Sequence, residues 1–149
     1  MKIAIGADHG GYELKESLIT YLKSKNVQVV DCGTNSNQSV DYPDFGLAVA
    51  DMVSRQEAKL GVLICTTGIG QSMTANKVPG VRAALCSNDD QAKYSRLHND
   101  ANVIVFGAKY TSAEEAQKML DVWLAISFEG GRHQRRVEKI SEIEKKYSK

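Results

Sequence analysis

Residues 60–70 read LGVLICTTGIG: an unbroken apolar run that ends abruptly in a cysteine, two threonines and two glycines. A strand covered by helices on both faces has such a composition, because neither face meets water. The residues that follow, QSMTANK (71–77), read as a helix. The stretch therefore predicts a buried strand, a tight loop and a helix in direct succession.

The same step recurs along the chain. KIAIG (2–6), VQVVD (27–31), VRAAL (81–85) and NVIVFG (102–107) are further short apolar runs, each expected to be a strand. Between them, Leu14, Leu18 and Leu22 fall at helical spacing, with Lys15, Glu16 and Lys23 expected on the opposite, solvated side. FGLAVADMV (45–53) and AEEAQKMLDVWLAI (113–126) are also helical in pattern. Thr111 with Glu114, or Ser112 with Glu115, supplies a capping box at the start of the latter. A last helix is expected over residues 133–147, with Val137, Ile140 and Ile143 on its apolar side. Strands alternating with helices predict a single α/β domain over residues 1–149. Its architecture is a doubly wound, Rossmann-like, five-stranded parallel sheet with helices on both faces and a C-terminal helix. GTNSNQSVDYPDFG (33–46) reads as a long polar loop.

Bulk properties exclude several classes. The 149 residues are 42% hydrophobic and 25% charged, ordinary values for one soluble domain. Nineteen basic against 18 acidic residues leave a net charge of +1, so no strong field favours nucleic acid or a membrane surface. No apolar stretch reaches the roughly 18 residues of a membrane-spanning helix. The start, MKIAIGADHGG, lacks a signal-peptide core, so a cytoplasmic location is expected. Three cysteines without a C-x-x-C pair argue against a disulfide framework or a structural zinc.

In a doubly wound sheet, ligands bind outside the carboxyl ends of the strands. That rule selects ADHGG (7–11), DCGT (31–34), CTTGIG (65–70), CSND (86–89) and GAKY (107–110), and it puts Asp8, His9 and Cys65 on one rim. The glycines and hydroxyls after Cys65 suit a loop whose backbone N–H groups converge on an anion, and a helix N-terminus favours the thiolate. No G-x-G-x-x-G or Walker A pattern occurs. The loop of small cysteine phosphatases requires arginine six residues after the cysteine, and here that residue is Gln71. Cys32 and Cys86 have less loop chemistry behind them and read as structural. RLHNDANV (96–103) places His98 and Asn99 before the last strand, where the histidines at 9 and 98 are expected to be reachable from one rim. In EGGRHQRRVEKI (129–140), Arg132 and Arg136 lie four apart near a helix start, a geometry suited to clamping phosphate.

Five motifs, GADHGGYELK, VDYPDF, ICTTGIGQSMTANKVPGVRAALC, SRLHNDANVIVFG and WLAISFEGGRHQRRVEKI, are spread in order from residue 6 to residue 140. Together they resemble the ribose-5-phosphate isomerase B family, whose wider membership includes galactose-6-phosphate isomerase. The resemblance implies metal-independent, cofactor-free interconversion of ribose 5-phosphate and ribulose 5-phosphate through an enediolate. It implies Cys65 as the base between C2 and C1 and His98 as the ring-opening group. The backbone of Thr66, Thr67, Gly68, Ile69 and Gly70 becomes the anion hole, with Thr67 assisting. Asp8 is then a ligand of sugar hydroxyls, and His9, Arg132 and Arg136 bind the phosphate. It also implies a homodimer or homotetramer in which Asn99, Lys109 and His98 reach a site built mainly by another subunit. Two positions depart from the family pattern: Thr66 stands where glycine is usual, and Lys109 where arginine is common. Both bear on substrate range, so a hexose 6-phosphate such as allose or galactose 6-phosphate is the alternative substrate. A non-catalytic sugar-phosphate sensor is the alternative outside enzymes.

Overall fold

Period-two alternation divides each strand's side chains between two faces of one sheet, and that division builds two cores. The structure, a computed structural model, describes residues 1–148. Its elements are β1 (Lys2–Ala7), α1 (Tyr12–Ser24), β2 (Gln28–Asp31), α2 (Tyr42–Ser54), β3 (Leu60–Cys65), α3 (Ile69–Ala75), β4 (Ala83–Leu85), α4 (Asp89–Leu97), β5 (Val103–Gly107), α5 (Ala113–Ala125) and α6 (Arg132–Tyr147). All strands are parallel, in the order β2-β1-β3-β5-β4. Ile3, Ile5, Val62, Ile64, Ile104 and Phe106 meet Leu18 and Leu22 of α1 and Met119, Leu120 and Trp123 of α5 in one core. Ala4, Leu63, Val103 and Val105 meet Val49 and Val53 of α2 and Ala75 of α3 in the other. The doubly wound five-stranded sheet is thus as the sequence predicts.

Four details differ. β2 and β4 are edge strands and only half covered, whereas β3 and β5 are buried throughout. Residues 42–46 are the first turn of α2 rather than polar loop: Pro43 stands in that turn, where its missing N–H and fixed φ cost nothing. Lys15 lies on the buried side of α1, not the solvated one. Its side chain is fully buried, with Nζ 2.9 Å from Asp31 Oδ1 and 2.7 Å from Glu16 Oε1. Burial alone lowers the ammonium, but the hydrogen bonds to Glu16 and Asp31 outweigh it and raise Lys15 above the ordinary lysine range. On α6, Val137 is buried, but Ile140 and Ile143 are 50% and 60% exposed. Of the two possible capping boxes the structure uses Ser112 with Glu115, while Thr111 is buried.

Candidate active site

The strand order reverses direction between β1 and β3, and the loops after these two strands flank that switch point. Cys65 ends β3 and is 5% exposed. The Gly68 N–H donates to its Sγ at 3.1 Å, so a thiolate there has a fixed donor. Gly68 makes this possible with φ +82°; a Cβ at this position would strike Leu85 Cδ1 and come within 3.1 Å of the Gly107 nitrogen. Thr67 Oγ1 accepts from the Ile69 N–H at 3.3 Å. Among the described residues, the amides of Thr66, Thr67 and Gly70 have no acceptor within the chain. The end of β5 fixes the loop from beneath, with Ala108 N–H donating to Cys65 O and Lys109 N–H to Thr66 O, both at 2.9 Å. The Lys109 ammonium lies 5.8 Å from the Tyr110 ring centre.

Asp8 directly follows β1, opposite this loop. Its Oδ1 accepts from the N–H groups of Gly10 and Gly11 at 3.0 and 3.1 Å, capping the short 3-10 turn His9–Gly11 that leads into α1. His9 Nδ1 accepts from the Val40 N–H at 3.1 Å, which puts the proton of the neutral ring on Nε2. A Cβ at Gly10 would collide with Thr66 Oγ1, so the turn and the loop touch across the switch point. Between them opens a cleft of about 440 Å³ lined by Asp8, Tyr42, Cys65, Thr66, Thr67, Ile69, Gly70 and Met73. Tyr42 and Met73 are absent from the sequence-based set. Tyr42 stands inside VDYPDF, and its ring covers Gly70, where any Cβ would strike it. What hid it was the reading of residues 33–46 as loop.

The remaining residues lie elsewhere. The β3–β5 register sets Cys65 beside Gly107 and Gly61 beside Val103, so whatever precedes Val103 is at the amino edge of the sheet. His98 caps the carboxyl end of α4, with Asn99 next to it, before β5 begins. The expectation that His9 and His98 share one rim of a single chain is corrected here: α4 carries the chain back across the sheet and delivers His98 to the opposite edge. Arg132 and Arg136, in the first turns of α6, are beside it. One chain thus gathers Asp8, His9, Cys65, Thr66, Thr67, Gly68, Ile69, Gly70 and Lys109 at its carboxyl edge. It separates His98, Asn99, Arg132 and Arg136 from them.

At that second edge His98 and His133 stack, with ring centres 4.0 Å apart and planes 11° from parallel, while Tyr94 meets His98 at 4.7 Å. Glu129 Oε2 lies 3.7 Å from His98 Nε2 and 3.5 Å from His133 Nε2. His133 is 6% exposed, and its Nε2 is buried without a hydrogen bond. Burial and then His98 push His133 below the ordinary imidazole range; Glu129 opposes them, and Arg132 and Arg136 add to the depression. The three side chains bring one ligand atom each within 4.8 Å of one another. Parallel rings cannot both aim in-plane lone pairs at one ion, however, and two neighbouring guanidiniums repel a cation. Neither His133 nor Glu129 was singled out from sequence, although both flank the arginines in EGGRHQRR.

Comparison with known proteins gives a consistent result. The sequence model of the Ribose/Galactose Isomerase family matches residues 3–140. Ribose-5-phosphate isomerase B of Escherichia coli K12 is 46% identical over 145 residues, covering 97% of both chains. The solved ribose-5-phosphate isomerase B of Clostridium thermocellum superposes with a TM-score of 0.98 at 53% identity, covering 99% of this chain and 100% of that one. The Mycoplasma genitalium ribose-5-phosphate isomerase B, solved with bound ribulose 5-phosphate, gives 0.93 at 45% identity, with coverage of 97% and 96%.

Proposed function

This chain belongs to the Ribose/Galactose Isomerase family, and on that premise we propose that it interconverts D-ribose 5-phosphate and D-ribulose 5-phosphate in the cytoplasm. The observation that supports the reading best is the Cys65 loop. A nearly buried sulfur with a backbone donor at 3.1 Å stands beside amides that the chain leaves unpaired, on a cleft at the switch point. Moving a proton between adjacent carbons next to a carbonyl requires a positioned base and donors preset for the oxyanion. In the open-chain aldose, the Cys65 thiolate takes the C2 proton, and the electron pair passes through the C1–C2 bond onto O1. The resulting enediolate is held by the Thr66–Gly70 loop, whose Thr66, Thr67 and Gly70 amides are unengaged among the described residues, assisted by Thr67. The O2 proton passes to O1, so the C2 carbonyl forms as the same thiol returns its proton to C1, giving the ketose. Asp8, with one carboxylate oxygen engaged in its cap, offers the other to a sugar hydroxyl. His9 Nε2–H, Arg132 and Arg136 hold the phosphate, where binding energy orients the reacting end.

The aldose is mainly a closed ring, and His98 is the group assigned to open it. The distance between the two edges of one chain favours a homodimer, or a tetramer of such dimers, in which His98, Asn99, Arg132 and Arg136 of one copy complete the Cys65 cleft of another. The exposed Ile140, Ile143 and Met73 give such a contact apolar surface. The test is a coupled assay on ribose 5-phosphate and allose 6-phosphate side by side, in EDTA. We expect turnover of the pentose, and loss of C2 proton exchange in Cys65→Ala with the fold unchanged; full exchange in that variant would sink the base assignment.

A further inference from the structure

The scheme above leaves unused the cluster that surrounds His98. We propose that Glu129 and His133 are positioning residues for His98: a carboxylate shared by two stacked imidazoles lets the pair hold a single proton and fixes the ring that His98 presents to the sugar. The inference rests on the ring-opening role assigned to His98.

The geometry is specific. With ring centres 4.0 Å apart, two imidazolium charges would repel by about 4 kcal/mol at a partly screened site. One proton on the pair is therefore favoured over two. His133 is not its usual holder, because its side chain is only 7% exposed and burial disfavours the imidazolium, although Glu129 Oε2 lies 3.5 Å from its Nε2. His98, with a side chain 35% exposed, faces both solvent and Glu129. The backbone that carries Glu129 is fixed: its N–H donates to the Leu97 carbonyl at 3.0 Å, tying the approach to α6 against the end of α4. The other groups facing the pair are Tyr94 from α4 and Arg132 and Arg136 from α6. The arginines add positive charge and so also oppose a second proton. His133 is then a neutral, buried platform under the working ring, and Glu129, 3.7 Å from His98 Nε2, is the charge that draws the proton to that ring.

Two measurements test this. The chain has only three histidines, so imidazole nitrogen NMR resolves each one. In the unaltered protein we expect the stacked pair to take up one proton between about pH 8 and pH 5; uptake of two independent protons overturns the proposal. This readout does not depend on turnover, so it stands even if the protein fails to isomerise pentose phosphates. The second is kinetic. Ribulose 5-phosphate cannot close to a furanose, since its C5 oxygen carries the phosphate, and its C1 exchange with solvent therefore bypasses ring opening. For Glu129→Gln, whose parent side chain is half exposed, ribose 5-phosphate turnover should fall about tenfold and the alkaline limb of the pH profile should move about half a unit lower. Exchange from ribulose 5-phosphate should stay within about twofold. His133→Phe, which keeps the stack, should restore most of the turnover that His133→Ala loses. Equal losses with both substrates, an unmoved pH profile, or no difference between Phe and Ala would assign the cluster to packing alone.

Discussion

Gly68 shows how much of the site depends on one backbone angle. With φ at +82° it turns its N–H onto the Cys65 sulfur, and no space exists for a Cβ beside Leu85 and Gly107. Gly68→Ala should cost about 1–2 kcal/mol from the left-handed conformation alone, and more from the collision. We expect a lower unfolding midpoint together with at least a tenfold loss of turnover; full activity at native stability would dissociate this amide from catalysis. Thr66 is the complementary case, a side chain where the family usually has none, with its hydroxyl against Gly10. Thr66→Gly opens the cleft at that point. The ratio of hexose 6-phosphate to pentose 5-phosphate turnover should then rise several-fold, and an unchanged ratio in the paired assay would remove Thr66 from specificity. That Cys65 and Asp8 stand at strand ends beside one cleft is legible from residue order, because an apolar run that stops at small polar residues marks such an end. Tyr42 was not, since its place in the cleft depends on where α2 starts.

At the level of elements, α1 carries the clearest departure from pattern. A lysine beside apolar helical positions is normally solvated, yet Lys15 is fully buried because Asp31 at the end of β2 and Glu16 reach its ammonium. The Asp31 partner lies sixteen positions along the chain, beyond any helical periodicity. The raised Lys15 value has a defined sign. Its contribution to stability is fully present below the ordinary lysine range and is lost as pH rises through the higher value of the folded state. Asp31→Asn should destabilise by about 1–3 kcal/mol near neutrality. The difference from the unaltered protein in urea midpoint should hold up to about pH 10 and shrink only above it, as pH rises toward the raised folded-state value; a gap that closes well below that pH would show that the lysine charge is not responsible. In α5, the Ser112–Glu115 box holds the Glu115 carboxyl below its usual range. That contribution is present above the ordinary carboxylate range and is lost on acidification through the lower folded value. α6 was predicted almost to the residue, but only Val137 of its three apolar positions is covered within one chain.

Over the whole molecule, the sheet sets its two chemical groups at opposite edges, and that separation predicts complementation. Cys65→Ala and His98→Asn should each be inactive on ribose 5-phosphate. If sites are shared, mixing and reassociating them should restore about a quarter of the activity, since half of the dimers are mixed and each of these has one intact site. No recovery in subunits shown to exchange would place both groups in one chain's site. The sequence by itself determined the parallel sheet, its five strands and the cysteine loop at a strand end, because apolar runs, glycines and helical spacing act over a few residues. Only the tertiary structure decided that His98 is remote from Cys65 in its own chain, that His133 and Glu129 enclose it, and that Lys15 is buried. Each of these results from where α4, α6 and β2 return in space. Such returns are set by packing between distant segments, which local pattern does not encode.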